Sequence, residues 1–146
     1  MRLGLSVLAL PIVSLAAPSA ERIAQLFAPV EAGDGAAFVN LLSPNVTWTL
    51  TGSVLGGTHN FTGTLGLISS ITSAINGTYT AEVVSVISEG AEGRFSSTEL
   101  RTPKGMVGKN GVQYEQRYAW VTEWDYEKIV ANHEYLDSAL VDRLLA

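Results

Sequence analysis

"YEQRYAWVTEWDYEKIVANHEYLDSALVDRLL", residues 114–145, reads as two strands and a helix in close succession. Tyr114, Gln116, Tyr118, Trp120, Thr122 and Trp124 recur at every second position, which is the period of a strand. Glu115, Arg117, Ala119, Val121 and Glu123 take the opposite face. "EKIVANHEYL" continues as the last strand. Asn132 and Glu134 then point one way and His133 and Tyr135 the other, so His133 and Glu134 cannot both face the interior. Asp137 precedes "SALVDRLL", where Leu140, Leu144 and Leu145 mark a short amphipathic helix that an aspartate can cap.

Working back from this segment, the chain is organised in order. Ile23, Leu26, Phe27 and Val30 form one helical stripe, which Pro29 is expected to kink or stop near Glu31. Gly33-Asp34-Gly35 breaks the pattern, and Asp34 can cap a second helix through Phe38, Leu41 and Leu42 that Pro44 ends. "NVTWTLTG" alternates as a strand, and "SVLGGTHNFTG" is a loop or a short irregular strand. Leu67, Ile68, Ile71 and Ile75 return to helical spacing, closed by Gly77. "YTAEVVSVIS" is apolar on both faces and predicts a central strand, followed by "GRFSSTELRT" and the turn-rich "KGMVGKNG". Helices first and consecutive strands after them define an α+β fold, a largely antiparallel sheet with helices on one face.

The 146 residues suit one domain with a sizeable core. A net charge of −5 with nine Lys and Arg gives no basic surface for phosphate, which argues against a nucleic-acid partner. The absence of cysteine excludes disulfides, thiolate metal sites and cysteine nucleophiles.

Residues 1–17 read as a secretory signal peptide: Arg2 is a short basic region, Leu3 to Val13 an apolar one, and Ser14, Ala16 and Ala17 are small residues suited to cleavage. A buried N-terminal helix is the competing reading, which Pro11 disfavours. The mature chain is expected to begin between Ala17 and Glu21 and to form one domain, residues 18–146. Asn45-Val46-Thr47, Asn60-Phe61-Thr62 and Asn76-Gly77-Thr78 are N-glycosylation acceptors. Signal and sequons together predict a secreted glycoprotein with no membrane attachment after processing.

The order of elements resembles the NTF2-like superfamily, and within it the SnoaL-like branch. "LFAPVEAGDGAAFVNLLSPNVTW" is similar to that group's opening, with Gly33-Asp34 as the break between two helices and Pro44, Val46 and Trp48 leading into the first strand. "TGSVLGGTHNFTG" resembles the loop before the third helix, and residues 114–145 resemble the closing strand pair and "EYLDTALV"-type tail. The resemblance implies a cone, in which a strongly curved sheet wraps a helix around an apolar pocket. It covers polyketide cyclases, ketosteroid isomerases, epoxide hydrolases and dehydratases, as well as domains that bind or dimerise without catalysis. Fold does not choose among these. Pairing of sheets through their outer faces, common in the group, implies a homodimer, and the mixed outer face around Ala119 and Val121 is compatible with one.

The resemblance implies a pocket wall along Tyr114–Tyr118, where Gln116 stands for the group's usual Asn and Tyr118 keeps its place. Trp120 and Trp124 suit a pocket wall or a packed aromatic core equally, and Trp48 is expected to pack at the base of the cone. An aspartate in the corresponding tail serves cyclases as acid and base, and Asp137 matches it, although a helix cap explains Asp137 as well. Glu134, facing inward, is either a general base of raised pKa or the partner of Arg101 or Arg117. Glu99 is a further inward candidate. His59, among Gly56, Gly57 and Gly63, could shuttle protons at the pocket mouth or sit in solvent beside Asn60. "HEYLD" lacks the second histidine of a zinc helix, so no metal site is expected. The candidates are thus Glu134, Asp137 and His59 for catalysis, and Trp48, Glu99, Gln116, Tyr118 and Trp120 for the pocket. The expected function is to bind a small, largely apolar molecule, with cofactor-free isomerisation, cyclisation or dehydration if it is an enzyme. A secreted binding or dimerisation module is the alternative.

Overall fold

The computed structural model describes residues 16–146, so the signal-peptide reading falls almost wholly outside the described residues. Four helices pack on one face of a six-stranded sheet. Helix α1 (Ala20–Glu31) starts at Ser19, whose side chain accepts from the Arg22 N–H, and it buries Ile23 and Phe27. Pro29 is held inside its last turn, and the helix ends at Glu31. Gly33 follows with φ +90°, and a Cβ there would stand 2.7 Å from the Thr78 methyl, so the turn needs glycine twice over. Asp34 caps α2 (Gly35–Leu41) by accepting from the Ala37 N–H.

The chain then passes directly into β1 (Leu42–Leu50). Pro44 was expected to terminate α2; instead it lies within β1, where the register against the neighbouring strand shifts between Leu42 and Thr47 and an irregular ladder tolerates a missing N–H. The short β2 (Gly57–His59) and α3 (Phe61–Ala74), capped by Asn60, follow. The remaining strands are β3 (Glu82–Ser88), β4 (Phe95–Arg101), β5 (Arg117–Asp125) and β6 (Lys128–Leu136), and α4 (Ser138–Leu145) closes the chain.

The sheet order is β2-β1-β6-β5-β4-β3, antiparallel throughout except for the parallel pair β1–β6. β3 is therefore an edge strand, not the central one its composition suggested. Val83 and Val86 turn toward the helical side, while Ile87 is 75% exposed on the outside. Its apolar outer face is not burial within this chain. The alternation of residues 112–124 also overstated β5, which starts at Arg117. Before it, the Thr102 hydroxyl and the backbone of Gln116 bond each other and turn the chain out of the ladder.

The main core fills the space between the sheet and α1–α3, with Phe27, Phe38, Trp48, Leu50, Leu67, Leu100 and Trp124 buried. A second cluster of Ile75, Met106, Tyr114, Leu140, Val141 and Leu144 lies under α4. No described helix is long and apolar enough to cross a membrane.

Asp137 caps α4, its Oδ1 accepting from the Leu140 N–H at 3.0 Å. Asparagine caps about as well, so Asp137→Asn should leave the thermal melt nearly unchanged, whereas Asp137→Ala should cost about 1 kcal/mol of stability.

Candidate functional site

The inner face of β6 carries Glu134 into the cone. Register sets its neighbours: Trp120 of β5 pairs with it on one side and Leu50 of β1 on the other. Glu134 is 8% exposed, and its Oε2 accepts from the Trp48 Nε1–H at 2.7 Å. Among the described residues it has no salt-bridge partner. Arg101 and Arg117, the cations weighed for that role, pair with Glu82 and Glu99 on the surface. Burial pushes the Glu134 carboxyl above the usual carboxylate range, and the Trp48 N–H pulls it partly back. The Trp120 N–H opposes the rise in the same sense, although it lacks a hydrogen-bond partner of normal geometry.

Four aromatic rings pack together beside this carboxyl. Trp48 stands edge-on to Trp120 with centroids 5.0 Å apart, and Phe38 contacts both at 5.8 and 5.7 Å. Phe27 from α1 adds a tilted contact to Trp120. Beside them runs a chain of hydroxyls: Tyr79 donates to Tyr118 at 2.8 Å, and Tyr118 and Tyr114 share a bond of 3.2 Å. Burial raises the pKa of all three, so they stay protonated and act as donors.

All of these except Tyr114 line a cavity of about 480 Å³, within the range of small-molecule sites. Glu134, Tyr118 and Trp120 enter it from the sheet and Tyr79 from the segment before β3, while Thr64 and Thr72 of α3 bond their hydroxyls to backbone carbonyls one turn back. The helices contribute Val39, Leu67, Ile68 and Ile71 to the opposite wall.

The structure thus brings together Glu134, Trp48, Tyr118 and Trp120. It separates the other candidates. Glu99 was expected to face inward; it lies on the outer face, paired across β4–β5 with Ala119 and accepting from the Arg117 guanidinium. Strand β4 turns Ser96, Thr98 and Leu100 inward instead. Gln116 does not line the cavity. Its amide clasps the Asp137 backbone, with Nε2 donating to the carbonyl and Oε1 accepting from the N–H, both at 2.9 Å. The His59 ring contacts the Leu55 carbonyl at 2.9 Å and also stands outside the lining, as does Asp137. Tyr79 was missed. It sits between α3 and β3 with no periodic neighbours, so a lone tyrosine in a Gly-Thr-rich segment gave no signal.

No family description and no curated protein matches the sequence. Solved structures do. An NTF2-like protein from Burkholderia thailandensis superposes with a TM-score of 0.68 at 22% identity, covering 86% of this chain and 95% of its own. A cystatin-like protein of unknown function from Xanthomonas campestris gives 0.68 at 22%, covering 88% and 98%. A loop-truncation variant of IdmH gives 0.58 at 18%, covering 86% and 98%. The chain has the NTF2-like, cystatin-like fold.

The raised pKa of Glu134 has a signed consequence for stability. Its folded value lies above the ordinary 4.5, so the folded state holds the proton over a window in which the unfolded chain has lost it. The contribution is full below the unfolded value and is lost as pH rises through the folded one. Glu134→Gln lacks this titration, so its Tm should gain on the wild type as pH rises from 4 to 8. The gain accrues only between the unfolded and the raised folded value, at no more than about 1.4 kcal/mol per pH unit there, or roughly 3–5 °C in Tm, and is flat on either side. Parallel melting curves over that range check it.

Proposed function

We propose that this protein binds a small, largely apolar molecule in the cone and performs cofactor-free acid–base chemistry on it, namely isomerisation, cyclisation or dehydration beside a carbonyl. The observation that carries this reading is Glu134: a carboxyl with no cationic partner among the described residues, buried in an aromatic cavity, with its basicity raised. A structural carboxylate would be matched by a cation, and a purely apolar receptor would avoid the desolvation. In this scheme the ionised Glu134 takes a proton from the carbon next to the carbonyl. The C–H electron pair moves into a new C=C bond and the carbonyl π pair onto oxygen. Tyr118 accepts from Tyr79, and with Tyr114 as the donor of their shared bond its own proton can be given to that oxygen. Glu134 then returns the proton to another carbon in isomerisation, to a leaving hydroxyl in dehydration, or, in cyclisation, to the alkoxide left when the α-carbon has bonded a second carbonyl carbon and that carbonyl's π pair has moved onto its oxygen. Trp48 holds Oε2 and leaves Oε1 toward the substrate.

Deuterium exchange into carbonyl compounds that bind, followed by NMR, tests the scheme. Glu134→Gln should keep binding within a few-fold and lose exchange by about 10²–10⁴. Wild-type protein that binds such compounds and never exchanges them would make it a binding module instead.

Export remains part of this proposal. Ala17 is buried and donates its N–H to the Gly93 carbonyl, and this favours the early end of the Ala17–Glu21 window. Asn45, Asn60 and Asn76 are all exposed, as glycan acceptors require. A homodimer through the outer sheet face is supported by Ile87, Phe95, Val121 and Tyr135, which are 75, 47, 40 and 51% exposed on neighbouring strands. Light scattering should give twice the monomer mass, and Val121→Arg combined with Ile87→Arg should return it to monomer.

A further inference from the structure

Among the described residues that line the cavity, three are exposed: Gly35, Gly77 and Thr78. The rest are buried or half-buried, so these three mark the mouth. One lip is the start of α2. The other is the turn after α3, where Gly77 has φ +104° and faces open space. The two lips meet where Gly33 packs against the Thr78 methyl. Gly77 and Thr78 are also the second and third residues of the sequon that begins at Asn76.

Asn76 itself is exposed, and its backbone N–H is fixed to the Val107 carbonyl at 2.8 Å. Anything attached to its side chain is therefore rooted at one point on the rim. The other two sequons are placed differently. Asn45 lies on β1 and Asn60 caps α3 through its carboxamide oxygen, and neither adjoins an exposed lining residue.

We propose that Asn76 carries an N-glycan that stands at the mouth of the cavity and gates access to it. This rests on the export and cavity-binding readings above. The modification joins the Asn76 Nδ2 to the anomeric carbon of a lipid-diphosphate-linked oligosaccharide. The bond from that carbon to the diphosphate oxygen breaks, the lipid diphosphate leaves, and the amide nitrogen gives up one proton. A glycan at the rim touches the path and not the bound ligand. It slows association and dissociation by the same factor and leaves Kd unchanged.

The test uses protein secreted from eukaryotic cells, with peptide mass mapping for occupancy and stopped-flow binding of anilinonaphthalene sulfonate as the apolar probe. Intact glycoprotein should show Asn76 occupied. Trimming to the first sugar, or Asn76→Gln, should speed both rates by about threefold or more at constant Kd, with Asn45→Gln as a control that does not. A bare Asn76 in secreted protein overturns the inference. So do equal rates in intact and trimmed forms, or an equal acceleration from Asn45→Gln. Failure of the probe to bind even the Asn76→Gln protein overturns the cavity reading together with this one, and failure of the chain to be secreted overturns the export reading with it.

Discussion

The hydrogen bond from the Trp48 indole to Glu134 is the constraint on which the rest of the cone depends. It joins residues 86 positions apart, and it makes an ionisable group tolerable among Leu50, Trp120 and Phe38. A buried carboxyl without a partner would cost several kcal/mol, and a charge-assisted bond offsets roughly 1.5–3 of that. The offset is partial, which is why the carboxyl stays more basic than usual. The bond also dictates topology. Trp48 reaches Glu134 because β1 lies parallel to β6, and a parallel neighbour cannot be reached by a hairpin. The chain must cross over between them, and that crossover contains β2, α3 and the three strands that complete the sheet.

A second set of polar contacts fixes the far end of β6. The Gln116 amide holds both backbone groups of Asp137, three residues beyond Glu134, while the Asp137 side chain caps α4. Tyr114, buried against Leu140 and Val141, reaches back through its hydroxyl to Tyr118 in the cavity wall. The donor chain is thus anchored in the smaller core and not in a mobile loop. The reach of glutamine matters here: its extra methylene spans the bend between the pre-strand segment and the helix cap.

The sequence carried the fold well, because it is built of amphipathic stripes. The two-residue period in β5 and β6 placed Tyr118, Trp120 and Glu134 inward, and Asp137 before "SALVDRLL" announced its cap. What it could not carry is which face of an ambiguous strand turns inward. In "FSSTELR" each face carries one large apolar residue, Leu100 on one and Phe95 on the other, among small or polar ones, so the sequence does not say which face is buried and Glu99 was assigned to the wrong side. β3 looked central because its outer face is apolar, a property that interior burial and an exposed patch share. Gln116 obeyed the period and still missed the cavity, since the chain leaves the ladder one residue before β5 begins. Tyr79 and the convergence of Gly35, Gly77 and Thr78 at the mouth arise from tertiary approach between segments with no pattern of their own.

The division of labour across the cavity follows from these placements. Every polar group aimed into it from the sheet side is held by a second contact, either register, an indole or a neighbouring hydroxyl. The opposite wall, from α2 and α3, is mainly apolar, and its two hydroxyls, Thr64 and Thr72, donate to the backbone carbonyls of Asn60 and Ile68 one turn earlier. A ligand's oxygen must therefore turn toward the sheet, whatever its carbon skeleton, while Val39, Ile68 and Ile71 set the size and outline that fits. Substitution on the helices would change what binds and leave the proton chemistry where it is. Substitution at Trp48, which also lines the cavity, would act on the proton chemistry as well, because its indole is the hydrogen-bond donor of normal geometry to Glu134.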